Sequence, residues 1–138
     1  MAYSGIFPKK IEIPDDSFYC DEPLAEGIPV GSLCPSFVKI MGTKYEPGMV
    51  VVLKSISFGN LEVGVIKNIF FFNGKVFFRC ETFKAVLGKS GIYCSTERTN
   101  QATCESTKLA DHQPLRSLGP TNNFRFVLHH FISETCII

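Results

Sequence analysis

The sequence lacks tryptophan, a charge excess of either sign, a long hydrophobic run and any N-glycosylation acceptor. Its 14 Lys and Arg residues nearly balance its 13 Asp and Glu residues, which leaves a net charge of +1. This balance removes the bulk electrostatic attraction to nucleic acids and anionic membranes, although a local basic patch is compatible with it. No apolar stretch approaches the roughly 20 residues of a transmembrane helix, so we expect no membrane-spanning segment.

The N-terminus, M-A-Y-S-G-I-F-P-K-K, does not have the charged and then apolar layout of a signal peptide. Without an export signal we expect an intracellular chain, cytoplasmic or nuclear, whose cysteines stay reduced. The alternative is a disulfide framework, since the cysteines are even in number: Cys20, Cys34, Cys80, Cys94, Cys104 and Cys136.

Phenylalanine is abundant, with 13 residues in a chain of 138, and 45% of all residues are hydrophobic. Each buried aromatic ring removes roughly 150–250 Å² from water. This composition predicts a single folded domain whose core needs no metal or other cofactor.

The stretch from residue 42 to residue 83 has the pattern of a β-meander. Three apolar runs rich in Val, Ile and Phe are separated by Pro-Gly, Phe-Gly-Asn and Asn-Gly, which are typical turn sequences. They predict strands at Met49–Leu53, Leu61–Phe72 and Lys75–Phe83, with Gly64 as a bulge or corner. Asn73-Gly74 is the strongest hairpin signal in the sequence.

The flanking segments complete the predicted architecture. Residues 1–35 carry five prolines and several acidic residues, which predicts an irregular extension that packs on the main domain. Within it, Ile6-Phe7 and Ile11–Ile13 could form a short edge strand or lie across the surface of the barrel. Residues 36–138 form that domain, with an exposed loop at Thr96–Lys108 and a closing strand at Phe124–Ser133. The fold is predicted to be all-β, a small SH3-like barrel or alternatively a two-sheet sandwich.

Several motifs in this order resemble a known family. They are G-T-K-Y-E-P-G-M-V-V-V-L, F-G-N-L-E-V-G-V-I-K-N-I-F, L-A-D-H-Q-P-L and V-L-H-H-F-I. Together they resemble an uncharacterised C-terminal β domain of transposon-derived or transposon-associated proteins of fishes and invertebrates. The resemblance covers about residues 37–133 and implies the β fold and a non-catalytic module, with no activity to carry over.

Catalytic and metal-binding patterns are weak. Cys94 or Cys104 could act as a nucleophile with His112 as base and Asp111 as its orienting group, but small buried cysteines beside a turn histidine are the simpler interpretation. Zinc ligands are available, yet no Cys-X2–4-Cys pair groups them. The available ligands are Cys80, Cys94, Cys104, His112, His129, His130 and Cys136. We predict neither an enzyme nor a metal site.

The predicted function is a protein-interaction module that binds a partner polypeptide through an aromatic-lined groove or an exposed strand edge. The aromatic residues next to turns are the predicted partner-binding residues: Tyr45, Phe58, Phe83 and Tyr93. The alternative is nucleic-acid binding by a basic face of residues 36–138. Its predicted phosphate contacts are Lys84, Lys89, Arg98, Lys108 and Arg116.

Overall fold

The computed structural model describes residues 11–15, 17–19, 31–88, 91–115 and 124–126. Eleven β-strands and a 3-10 turn at Ser106–Lys108 account for the regular elements of this part of the chain. The strands are β1 Ile11–Glu12, β2 Phe18–Tyr19, β3 Leu33–Cys34, β4 Val38–Ile40, β5 Thr43–Tyr45, β6 Val50–Ser57, β7 Asn60–Phe72, β8 Lys75–Leu87, β9 Tyr93–Glu105, β10 Asp111–Leu115 and β11 Arg125–Phe126. The all-β prediction is confirmed.

The strands form two sheets. The larger sheet has eight strands and is a nearly closed barrel, with the order β10-β6-β7-β8-β9-β11 and with β3 pairing with both β7 and β2. A second, three-stranded sheet has the order β1-β4-β5. Every pairing in both sheets is antiparallel.

The meander predicted between residues 42 and 83 is confirmed as β6, β7 and β8. Phe58-Gly59 joins β6 to β7, and Asn73-Gly74 joins β7 to β8 as a two-residue hairpin. Asn73 and Gly74 both have positive φ, at 53° and 75°, which is the conformation that favours Asn-Gly in tight hairpins. Strands β7, β8 and β9 are the longest of the described strands, at 13 residues each.

The two faces of the large sheet bury separate hydrophobic clusters, since successive residues of a strand point to opposite faces. The first cluster fills the barrel: Val50, Val52, Leu61, Val63, Val65, Phe83, Ala85, Tyr93, Leu115, Phe124 and Phe126. The second lies on the opposite face, where the three-stranded sheet contributes Val38 and Tyr45. It also contains Met49, Val51, Ile66, Ile69, Val76, Phe78, Cys80 and Leu109.

Gly64 was predicted to be a bulge or corner, and the prediction of a bulge is wrong. Gly64 pairs regularly with Val51 and Thr82, while the irregularity of β7 lies between Ile66 and Asn68. The reason for glycine is close packing, because a Cβ atom at this position would lie 2.7 Å from the Cβ of Cys80.

The described parts of residues 1–35 contribute to both sheets. β1 is an edge strand of the small sheet, the first of the two predicted alternatives, and Ile11 and Ile13 pack against the second cluster. Ile6-Phe7 lies outside the described residues. β3 pairs with β7 in the large sheet. Cys34 at the end of β3 is disulfide-bonded, whereas Cys80, Cys94 and Cys104 are free thiols. The expectation of reduced cysteines is therefore wrong for Cys34.

Two further predictions need correction or completion. Thr96–Lys108 was predicted to be a loop, but β9 continues to Glu105 because β8 pairs with it from Phe77 to Leu87. Of the predicted closing strand, Phe124–Phe126 is described and Phe124 and Phe126 are both buried in the barrel; the rest lies outside the described residues. The described residues include no helix that is long and apolar enough to cross a membrane.

Candidate functional site at the outer edge of strand β9

Among the described strands, only β8 pairs with β9 along its whole length. β8 pairs with it from Tyr93 to Glu105, while β11 on its other side pairs only with Tyr93 and Cys94. One further bond joins the Ser95 N–H to the Phe124 carbonyl at 2.9 Å. Among the described strands, none pairs with the outer side of β9 beyond that point.

We call the exposed part of this strand, Thr96–Thr103, the β9 edge. All eight of its side chains are exposed. Glu97 and Arg98 are its only charged residues, and their charges cancel; the others are hydroxyl, amide or methyl side chains. Natural edge strands are usually protected by Pro, Lys or inward-pointing charges. The β9 edge contains neither Pro nor Lys, although its register shifts at Thr96 and Thr99 are a feature that protects some natural edges.

The inner side of the β9 edge is held firmly to β8. The Thr82 hydroxyl is 2.6 Å from the Thr99 hydroxyl and donates to the Asn100 carbonyl at 3.0 Å. Thr82 is only 2% exposed. The Arg79 guanidinium donates to the Gln101 side-chain oxygen at 3.0 Å. These contacts fix the strand as a rigid platform, although register shifts at Thr96 and Thr99 give it extra local twist.

The outer side of the β9 edge, which faces away from β8, has two notable features. The Gln101 N–H donates to the Asn100 Oδ1 at 2.8 Å, so a backbone donor of the edge is satisfied by a side chain of its own strand. A cavity of about 410 Å³ is lined by Arg98, Thr99, Asn100 and Gln101. The edge therefore has open space beside it and a backbone N–H, that of Gln101, which an incoming strand can bind by displacing the Asn100 side chain.

An ion-pair network stands at the start of the β9 edge. The two Glu81 carboxylate oxygens are each 2.8 Å from a cation, one from Lys67 Nζ and the other from Arg98 Nη2. The hydrogen bond from Lys67 and the charges of Lys67 and Arg98 lower the pKa of Glu81, against the opposing effect of burial. Arg98 is thus already paired with a carboxylate rather than held ready for a phosphate.

Of the residues predicted to contact phosphate, the three that the structure describes do not form one surface. Arg98 lies opposite Phe83, while Lys84, the next residue of β8, lies opposite Glu97, so Arg98 and Lys84 occupy opposite faces of the sheet. Lys84 is also flanked by Glu62 on β7. Lys108 follows the far end of β9, whose last residue, Glu105, is about 23 Å from Arg98 at about 3.3 Å per strand residue. Lys89 and Arg116 lie outside the described residues.

Three of the four predicted partner-binding aromatics are buried. Tyr45 is 3% exposed, Phe83 1% and Tyr93 8%, and their rings pack on Phe78, Phe124 and Phe126 respectively. The expectation that they line an exposed groove is therefore wrong, because all three rings belong to the two hydrophobic clusters. Phe58 is 68% exposed at the β6–β7 turn.

Two of the described thiols, Cys80 and Cys104, do not have the properties of a nucleophile. Burial, together with the nearby Cys104, raises the pKa of Cys80 to about 12, and burial and Glu105 raise the pKa of Cys104. A nucleophilic thiol needs the opposite shift. Cys94 and Cys104 lie near opposite ends of β9, about 33 Å apart at about 3.3 Å per residue. The side chains of Asp111 and His112, and the residues His129, His130 and Cys136, lie outside the described part.

Within the described part of the chain, no three His, Cys, Asp or Glu residues are grouped as metal ligands. A second cavity of about 210 Å³ lies between the β3–β4 connection and β7. Its one charged lining residue, Lys67, is already paired with Glu81. Its lining consists of Cys34, Pro35, Ser36, Pro47, Lys67, Asn68 and Ile69.

Sequence reasoning missed the β9 edge as a strand. Its polarity led to the loop prediction, since its residues do not alternate between apolar and polar side chains with the two-residue period of a strand. The one usable signal was the recurrence of Thr at residues 96, 99 and 103, a β-branched residue that favours extended backbone.

No protein-family model, no curated protein and no solved structure matches the chain. The resemblance to the β domain of transposon-associated proteins stays a prediction.

Proposed function

We propose that this protein is a non-catalytic protein-interaction module that binds an extended polypeptide along the β9 edge. The mechanism is β-augmentation, in which the partner adds a strand to the sheet. Backbone hydrogen bonds supply the affinity, and side chains on alternate positions of the partner supply the specificity.

The observation that carries the proposal is the unequal pairing of β9. Among the described residues its inner side is paired with β8 along 13 residues, whereas its outer side is paired only at its first residues. The cavity beside Arg98–Gln101 offers the space that a second strand requires. The bonds from Thr82 and Arg79 hold the edge in place, so little conformational entropy is lost when a partner binds.

The other proposed binding modes receive less support. An aromatic-lined groove needs exposed rings, but Tyr45, Phe83 and Tyr93 are buried. Nucleic-acid binding needs a continuous basic face, but Lys84 and Arg98 lie on opposite faces and each has a carboxylate neighbour. The intracellular location predicted from reduced thiols also loses part of its basis, because the bond at Cys34 is of a kind that persists in oxidising compartments.

The test is selection of displayed random peptides on the purified chain, followed by binding measurements on Gln101→Pro and Gln101→Ala. Proline removes the Gln101 N–H, whose described partner is the Asn100 side chain. Alanine is the matched control, because both substitutions remove the side-chain bond to Arg79 while only proline removes the backbone donor.

Selected peptides are expected to bind the unmodified chain and Gln101→Ala alike and to bind Gln101→Pro at least about tenfold more weakly, since a lost backbone bond leaves a buried carbonyl unpaired. Equal binding to Gln101→Pro contradicts the proposal. So does a selection that yields no binding peptide.

A further inference from the structure

We infer that the polypeptide that pairs with the β9 edge carries an aspartate or glutamate directly opposite Gln101, and that Arg79 binds its carboxylate. This inference rests on the proposed function and names the chemistry of the partner. Two observations carry it: the register shift at Thr99, which brings Arg98 and Gln101 to one face of the sheet, and the excess of cations on that face.

The register shift decides which side chains share a face. In a regular strand, residues three apart, such as 98 and 101, point to opposite faces. Here Thr99 is an extra residue of β9 with no pairing partner on β8. Arg98 pairs with Phe83, and Gln101 pairs with Glu81. Because residues 81 and 83 are two apart on β8, their partners on β9 point to the same face, which we call the Gln101 face.

The buried side chain of Thr82 holds this irregularity in place. Its hydroxyl is 2.6 Å from the Thr99 hydroxyl and donates to the Asn100 carbonyl at 3.0 Å. The cavity of about 410 Å³ lies beside the same part of the strand, from Arg98 to Gln101. Bulges often direct side chains toward a functional site. This one keeps Arg98 and Gln101 on one face beside open space.

Cations outnumber carboxylates on the Gln101 face. Lys67 and Arg98 share the one carboxylate of Glu81, at 2.8 Å each. Arg79 lies on the same face, two residues from Glu81 on β8, and donates to the neutral side-chain oxygen of Gln101 at 3.0 Å. None of the ion pairs among the described residues includes Arg79. Three cations and one carboxylate leave two positive charges uncompensated around Gln101.

The two carboxylates that β9 itself carries do not compensate this excess. Glu97 pairs with Lys84 and therefore lies on the opposite face. Glu105 shares the Gln101 face but lies four residues further along β9, about 13 Å away at about 3.3 Å per residue. Its carboxylate accepts a hydrogen bond from the Thr107 hydroxyl at 2.7 Å. The positive charge beside Gln101 is therefore left for a partner.

An incoming strand places one side chain directly at this position. In an antiparallel pair, the residue opposite Gln101 bonds to its backbone and points its own side chain to the Gln101 face. That side chain lies beside the Gln101 amide and can replace it on Arg79. A carboxylate there exchanges a neutral hydrogen bond for a charge-assisted one, which is roughly twice as strong.

The first test uses peptides selected from a random displayed library on the purified chain. The selected peptides are expected to share an aspartate or glutamate at one position of their alignment. Replacing this residue by asparagine or glutamine is expected to weaken binding about tenfold. Moving the carboxylate by one residue should weaken binding to a similar extent, because the side chain then points to the opposite face.

The second test repeats these measurements on variants of the chain. Arg79→Gln is expected to bind the carboxylate and amide peptides alike. Lys75→Gln is the matched control, since it removes the same charge from an exposed residue of the same strand, about 13 Å from Arg79 at about 3.3 Å per residue. It should leave the tenfold preference for the carboxylate unchanged.

Selected peptides that share no acidic position overturn the inference. A preference for the carboxylate that is equally large in Arg79→Gln overturns it as well. The comparison of carboxylate and amide peptides on the unmodified chain needs no variant, so it decides the inference even if Arg79→Gln does not fold. If peptides without an acidic residue bind and lose binding to Gln101→Pro, the proposed function stands and only the acidic partner fails.

Discussion

Gly64 on β7 and Cys80 on β8 approach so closely that a Cβ atom on Gly64 would lie 2.7 Å from the Cβ and 3.0 Å from the Sγ of Cys80. A Cβ atom at this position could not easily move away from Cys80, since Leu53 Cδ1 lies 3.4 Å from it on the β6 side. The absence of a side chain at Gly64 therefore lets β6, β7 and β8 pack closely on the face of the sheet that carries the second cluster.

Gly64→Ala is expected to lower the free energy of unfolding by about 1–3 kcal/mol, the usual cost of adding a methyl group to a filled core. Adding Cys80→Gly to the same chain relieves the overlap, so the second substitution should cost less in the Gly64→Ala background than alone. Urea unfolding of the four proteins measures this. Equal costs in the two backgrounds would show that the two positions are independent.

Two hairpins of this protein use the same turn with different first residues. Met41-Gly42 joins β4 to β5 with φ values of 50° and 84°, and Asn73-Gly74 joins β7 to β8 with 53° and 75°. Asn tolerates positive φ better than Met does. Met41→Asn is expected to raise the melting temperature, with a gain of about 0.5–1 kcal/mol, and Asn73→Met to lower it similarly. A Met41→Asn protein that is less stable than the unmodified chain contradicts this account of the turn.

The Glu81 network predicts a specific dependence of stability on pH. The pKa of Glu81 is lowered in the folded state by Lys67 and Arg98, so its stabilising effect is fully present above its ordinary value of 4.5. The effect is lost as the pH falls through the lowered pKa, because the unfolded chain takes up the proton first. Glu81→Gln should therefore be less stable than the unmodified chain near pH 7, with the gap closing below about pH 4. A gap of constant size across this range would exclude the carboxylate as its origin.

Thiol labelling tests the assignment of the cysteines. Cys80 is buried and its pKa is raised to about 12, so iodoacetamide should not modify it in the folded protein near pH 8. Cys34 should resist labelling even after unfolding unless a reductant is present, because it is disulfide-bonded. Mass spectrometry of the peptides measures the labelling of both cysteines. A Cys34 thiol labelled without reductant would restore the expectation that all the cysteines are reduced.

The strands that could be predicted are those whose own residues, or whose adjoining turn residues, favour a buried strand or a tight turn. Runs such as Val50–Val52 and Ile69–Phe71 are apolar enough to demand burial, and Asn73-Gly74 specifies its own turn. β5 was missed because Thr43–Tyr45 is short and its turn begins with Met41, a residue that does not signal positive φ. The polar half of β9 is extended because β8 pairs with it, which is a tertiary effect that no local pattern records. The candidate site could not be predicted for the same reason, since an open edge depends on which strands pair with it and not on its own residues.

Hydrogen–deuterium exchange along β9, with and without a selected peptide, tests most directly whether the β9 edge is the binding surface. Amides within Thr96–Thr103, with Gln101 foremost, are expected to exchange more slowly when the peptide is bound, while amides around Phe58 do not change. Protection that appears around Phe58 or on the basic residues of β8, with Thr96–Thr103 unchanged, would contradict this expectation.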